Sequence, residues 1–310
     1  MSRLLKLPRE LRILIIKSVI TSSSPPVNAL WPWVVDKSSW QLHKETLEAL
    51  DRTGRNFSLE IQFMNEQVFW LRWTMIPAVV SQVDTFTTTI HQVKTEACQG
   101  GWMGFPCRVP ASCFFSTLDH FLKFGPVHRG HIEFPTKVNI VQPAQVTIKT
   151  AVYDIQTPKN LPEGTVIAPE AFGWAFQLGQ VPESHDPNKR YLIHPKAFGD
   201  YLFMHINQFV LDLDSVVRVA FCTPPSLDPY VASMGATLFE SVGTIKFTVD
   251  GELYREVDLA AKLAALPPDG PPRLFSAGNS PGFKVWREKT YKGREDAGLK
   301  VVRHDATQEG

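Results

Sequence analysis

Residues Asn56 to Met64 constrain the fold most, because their side chains change character at every step. Phe57, Leu59, Ile61 and Phe63 alternate with Ser58, Glu60 and Gln62, the period of a strand with one face buried and the other in contact with water. Val83 to Val93 repeats this behaviour with a threonine-rich, β-branched composition, and Val146 to Ile155 repeats it through Val146, Ile148, Thr150, Val152 and Asp154. Between these strands, Ala111 to Phe124 places Phe114, Phe115, Leu118, Phe121 and Leu122 at helical spacing before Gly125-Pro126 stops it. A second helix opens at Pro195, carries Phe198, Tyr201, Leu202, His205, Ile206 and Phe209, and is expected to run to about Leu213. Strands thus exchange with helices, and the expected fold is α+β: one mixed or antiparallel sheet with packed helices.

The C-terminal third adds local detail. Gly243 to Val249 is a strand, Asp250-Gly251 a hairpin turn, and Leu253 to Val257 the returning strand. Asp258 is placed to cap a helix from Leu259 to Leu266. From Pro267 the composition shifts to proline, glycine and charge, so 267–310 is expected to be a loop-rich tail, with Phe283 to Tyr291 available as an edge strand. No repeat of 20–50 residues recurs, which excludes the solenoid classes.

At the other end, Pro8 suits a helix first turn and Glu10 favours the positive end of its dipole, so a helix should start near Leu7. Leu11, Leu14, Ile15 and Val19 fall on one stripe of it, and Ile13, Ile16 and Ile20 on another, with Glu10 and Lys17 between them on one flank and Arg12 on the other. A helix with two apolar faces needs two surfaces to bury them against. The run Thr21-Ser22-Ser23-Ser24-Pro25-Pro26 breaks this helix. Ser38 or Ser39 can then cap a second one carrying Trp40, Leu47 and Leu50, ended by Gly54. The expected organisation is therefore a motif helix in 1–24, a helical connection in 25–56, the α+β body in 57–266 and the tail in 267–310.

Bulk properties narrow the function classes. Thirty-two basic residues against 31 acidic ones leave a formal net charge of +1, so no global field draws the chain to nucleic acid or an anionic membrane. No apolar run approaches the roughly 20 residues of a membrane span, and Arg9, Glu10, Arg12 and Lys17 interrupt the N-terminal stretch where a signal peptide would be continuous. Four cysteines, Cys98, Cys107, Cys113 and Cys222, are too few for a disulfide scaffold. The expected setting is intracellular, cytoplasmic or nuclear.

Reactive side chains are densest in Cys107, Cys113, Asp119, His120, His128, His131 and Glu133. Only His128 and His131 have the close spacing of metal ligands, and no second pair matches them. Cys113 and His120 lie seven positions apart on one helix, about 10 Å along its axis, too far to act as a nucleophilic pair. The glycine-rich stretch Gln99 to Gly104 lacks the lysine ending of a phosphate loop, and Asp212 and Asp214 point to opposite sides of a helix. Trp31, Trp33, Trp70 and Trp73 read as core residues before they read as a ligand platform. No catalytic residue, metal site or cofactor is assigned, and the chain is expected to be non-enzymatic.

One family resemblance is present. Leu4-Leu5-Lys6-Leu7-Pro8-Arg9-Glu10-Leu11-Arg12-Ile13-Leu14-Ile15 resembles the L-x-x-L-P-x-E-L-R opening of fungal F-box and F-box-like domain proteins. The segments Ile61 to Glu66, Trp73 to Ala78 and Val242 to Gly251 look like landmarks of the same group's body. The resemblance implies that the opening helix docks on the Skp1 adaptor of a cullin ubiquitin ligase while the body captures an unknown protein substrate. It implies partner-binding roles for Leu4, Leu7, Pro8, Leu11, Leu14 and Ile15. It covers residues 1–20; an F-box continues with two more helices, whereas here Ser22 to Pro26 and Trp31-Pro32-Trp33 follow.

Overall fold

A computed structural model describes residues 3–21, 40–53, 55–64, 68–75, 81–93, 108–125, 144, 146–170, 186, 189–206, 229–267 and 281–303. Its centre is a six-stranded mixed sheet in the order β2-β1-β3-β4-β7-β8. The strands are β1 (Asn56–Met64), β2 (Val68–Met75), β3 (Gln82–Val93), β4 (Thr147–Gln156), β7 (Val242–Val249) and β8 (Glu252–Asp258). Of the two expected sheet types the structure has the mixed one. β1, β3, β4 and β7 run parallel, and β2 and β8 close the two sides as antiparallel edges. Two short parallel strands, β5 (Thr165–Ile167) and β6 (Arg190–Leu192), form a separate ladder.

Alternation decides which face is buried. Phe57, Leu59, Ile61 and Phe63 of β1, Phe86, Thr88 and Ile90 of β3, and Ala151, Tyr153 and Ile155 of β4 are all buried. The intervening Ser58, Glu60, Thr85, Thr87, Thr89, Thr150 and Asp154 are half-exposed. Helix α3 (Arg108–Phe124) lies over the apolar face. Its Phe121 ring sits 4.7 Å from Phe86, 5.3 Å from Phe57 and 5.5 Å from Trp73. Gly125 ends the helix at φ 72°, with its N–H donating to the Phe121 carbonyl at 2.8 Å. A further helix, α4 (195–206), adds Phe198, which stacks on Phe63 at 5.7 Å and meets Phe114 at 5.6 Å. Its expected continuation towards Leu213 lies outside the described residues.

The hairpin and cap are where the local chemistry requires them. Asp250 at φ 51° and Gly251 at φ 83° turn β7 into β8. Asp258 accepts hydrogen bonds from the N–H groups of Ala260 and Ala261 and opens α6 (Leu259–Ala264).

Besides the short β5–β6 ladder, three longer elements differ from, or add to, the expectation. β2 carries no strand signature in the sequence, because Val68, Phe69, Trp70, Leu71 and Trp73 are apolar in both phases, which erases the alternation. Helix α5 (Pro229–Ser241) holds Gly235, Thr237 and two serines, a composition of low helix propensity. The tail contains α7 (Pro281–Asp296), where an edge strand had been expected at Phe283 to Tyr291. Phe283, Thr290, Tyr291 and Arg294 are buried along one side of that helix, a helical spacing hidden by the charged residues between them. The Arg294 guanidinium donates to the Phe239, Val242 and Lys300 carbonyls at 2.5, 2.8 and 3.1 Å, which fastens α7 to the end of α5 and the start of β7.

Candidate docking face on the N-terminal helix pair

A short 3-10 turn (Arg3–Lys6) precedes α1 (Arg9–Thr21), and Pro8 stands just before α1, its carbonyl accepting from the Arg12 N–H at 3.1 Å. This carbonyl starts the helix ladder, so the first turn forms where the proline was expected to permit it. α1 packs against α2 (Trp40–Thr53). The face of α2 turned inward consists of Leu42, Glu45, Thr46 and Ala49, all buried and spaced by three, four and seven positions. Ile16 and Ala49 form a buried cluster separate from the main core.

The two stripes of α1 have separate fates. Ile16, at 5% exposure, is buried and Ile13 half-buried. Leu11, Leu14 and Ile15 remain 47%, 60% and 39% exposed. Pro8 is exposed and Leu7 half-buried. Of the six residues that the motif singled out, Pro8, Leu11, Leu14 and Ile15 are therefore available on the surface. Leu4 lies in the 3-10 turn, with its side chain outside the described residues.

Arg12, expected only as a polar divider between stripes, is buried at 6% exposure. Its guanidinium meets the Glu45 carboxylate in a two-point contact, Nε to Oε2 at 2.8 Å and NH2 to Oε1 at 2.6 Å. Its remaining nitrogen donates to the Leu7 carbonyl. The Arg12 hydrogen bonds hold the Glu45 carboxyl below its ordinary range, and the same contact raises the guanidinium. Further along, Arg9 meets Glu48 at 2.5 Å on the surface. Sequence reasoning missed Glu45; the available signal was a carboxylate in phase with Leu42, Thr46 and Ala49 on an otherwise inward face.

Among the described residues the other candidate chemistry does not converge, and the Cys113 side chain lies outside them. Asp119 and Lys123 are buried and pair with each other at 2.9 Å on α3. His120 is half-buried on the same helix, while Cys107, His128, His131 and Glu133 lie outside the described residues. Among the described residues no cluster of three or more His, Cys, Asp or Glu side chains is placed to hold a metal ion. Trp73 packs against Phe86 and Phe121, a core role; Trp31, Trp33, Asp212, Asp214 and the glycine-rich stretch lie outside the described residues. No helix among those described is long and apolar enough to cross a membrane.

These features define a mixed-sheet α+β protein whose N-terminal helix pair has a small core of its own and a solvent-facing apolar stripe. No family model matches the chain, and no curated protein or solved structure does either.

Proposed function

We propose that the chain is a non-enzymatic protein-interaction protein in which α1 recruits a Skp1-type adaptor and the sheet body captures a protein substrate for a cullin ubiquitin ligase. The observation that carries this reading is the exposure of Leu11, Leu14 and Ile15 on a helix already anchored by its opposite side. Three large aliphatic side chains held in water on one stripe gain free energy when a partner covers them. The Leu-Pro-x-Glu-Leu-Arg opening supports the identity of that partner.

Leu11→Asp tests the proposal in the full chain, with purified Skp1 as the probe. Because Leu11 is about half exposed, the thermal melt of the body should stay where it is while adaptor affinity falls by more than about tenfold, the scale of an interface anchor. A helix whose role is only structural would behave in the opposite way: the charge would lower the melt, and no adaptor binding would exist to lose.

A further inference from the structure

α1 carries two apolar stripes, and burial alone does not select the one observed facing α2. At about 100° per residue, Leu11, Leu14 and Ile15 span about a third of a turn, and Arg12 and Ile16 lie on the other side of the helix. The hydrophobic effect follows apolar area and has no preferred direction. Rotating α1 by somewhat under half a turn would exchange Ile16 and the half-buried Ile13 for Leu11, Leu14 and Ile15 in the contact with α2, covering the most exposed aliphatic groups among the described residues of the helix. Some other interaction holds the larger stripe outward.

We propose that the buried Arg12–Glu45 pair selects the rotation of α1 on α2, making these two residues the positioning residues of the docking stripe; the inference rests on the docking function proposed above. Glu45 is surrounded on its own helix by Leu42, Thr46 and Ala49, and its carboxylate has the Arg12 guanidinium as its charged partner at 2.6 and 2.8 Å. In the rotated arrangement Arg12 leaves Glu45, whose carboxylate keeps the Gln41 amide on its own helix at 3.4 Å but loses its charged partner beside an apolar helix face, which costs more than leaving leucines in water. The third arm of the device is the Leu7 carbonyl, which accepts from Arg12. It ties the turn before Pro8 to the same rotation, so the leading residues of the motif and the outward stripe are set together. The pair thus works against the wrong arrangement more than it adds stability to the right one, the best-attested use of a buried ion pair.

The test replaces the pair with apolar residues of similar size, Arg12→Met with Glu45→Leu, in the full chain. Rotation is read by methyl NMR with a soluble gadolinium chelate, which broadens exposed methyl groups and spares buried ones. In the parent protein Leu11, Leu14 and Ile15 broaden and Ile16 does not. In the double variant the helices should melt no earlier, yet both stripes should broaden partially or give doubled signals, and affinity for purified Skp1 should fall at least about tenfold. The exchanged pair, Arg12→Glu with Glu45→Arg, keeps the ion pair but gives up the donor to the Leu7 carbonyl, so it should restore the single pattern of Leu11, Leu14 and Ile15 without the tie to the turn before Pro8.

The proposal is overturned if the apolar variant keeps the parental pattern, if it loses its helices outright, or if the exchanged pair restores nothing. The NMR readout requires no adaptor. Absence of Skp1 binding by the parent chain would remove the docking function while leaving the rotation result to stand or fall separately.

Discussion

At the centre of the body, Phe121 meets the rings of Phe57, Phe86 and Trp73 within 5.5 Å. At the centre of the helix pair, the corresponding place is taken by Arg12 and Glu45, with Ile16, Leu42 and Ala49 as the buried apolar residues around them. The difference separates two jobs. Aromatic packing over a sheet face supplies stability in bulk and tolerates no gap, whereas an ion pair between two helices supplies little net stability and much geometric definition. A region proposed to keep one apolar stripe in water for a partner has reason to use the second device.

The comparison breaks most visibly if the body core is opened. Phe121→Ala removes a ring with three aromatic neighbours, and a buried Phe truncated to Ala typically costs roughly 3–5 kcal/mol. Equilibrium denaturation followed by near-ultraviolet circular dichroism should show that loss for the body. Exchange protection of α1 and α2 should fall far less, since their buried cluster is separate from the main core. Equal losses in both regions would mean that one cooperative unit contains them both.

Acid sharpens the contrast next. Arg12 holds the folded Glu45 carboxyl below the value it has in the unfolded chain. The unfolded state therefore binds the proton more readily, and the stabilisation is fully present above the ordinary carboxylate range and lost as pH falls through the depressed folded value. Amide exchange in α1 and α2 should accelerate over that acid interval. Glu45→Gln should remove the pH dependence of the pair while leaving that of the body, where Asp84, Asp250 and Asp258 are also held low by their own hydrogen bonds. An unchanged exchange profile for the pair would assign its order to apolar contacts after all.

What was legible in the sequence follows the same division. β1, β3, β4, α3, the Asp250-Gly251 turn and the Asp258 cap were all readable, because each depends on a period or on a single residue's backbone chemistry. β2 and α7 were not: one is apolar in both phases, and the other spaces Phe283, Thr290, Tyr291 and Arg294 among charges. The parallel order of the central strands depends on pairings across long connections, which no local pattern records. On α1 the outward stripe is readable from the spacing of Leu11, Leu14 and Ile15. The choice of that stripe over its rival was not, because it depends on a carboxylate 33 positions away.

The smallest effect belongs to the surface ion pair beside the buried one. Arg9 and Glu48 are 52% and 30% exposed at 2.5 Å, so both charges keep much of their hydration, and a pair of this kind contributes about 0–1 kcal/mol and weakens with salt. Arg9→Ala should shift the exchange protection of α1 by no more than that, and the shift should shrink further in about 1 M salt, where the screening length is about 3 Å. The Arg12–Glu45 contact, three helix positions further in and buried, should respond to the same salt hardly at all. A loss on Arg9→Ala as large as that on Glu45→Gln would erase the distinction between a pair that selects the helix rotation and one that merely decorates its rim.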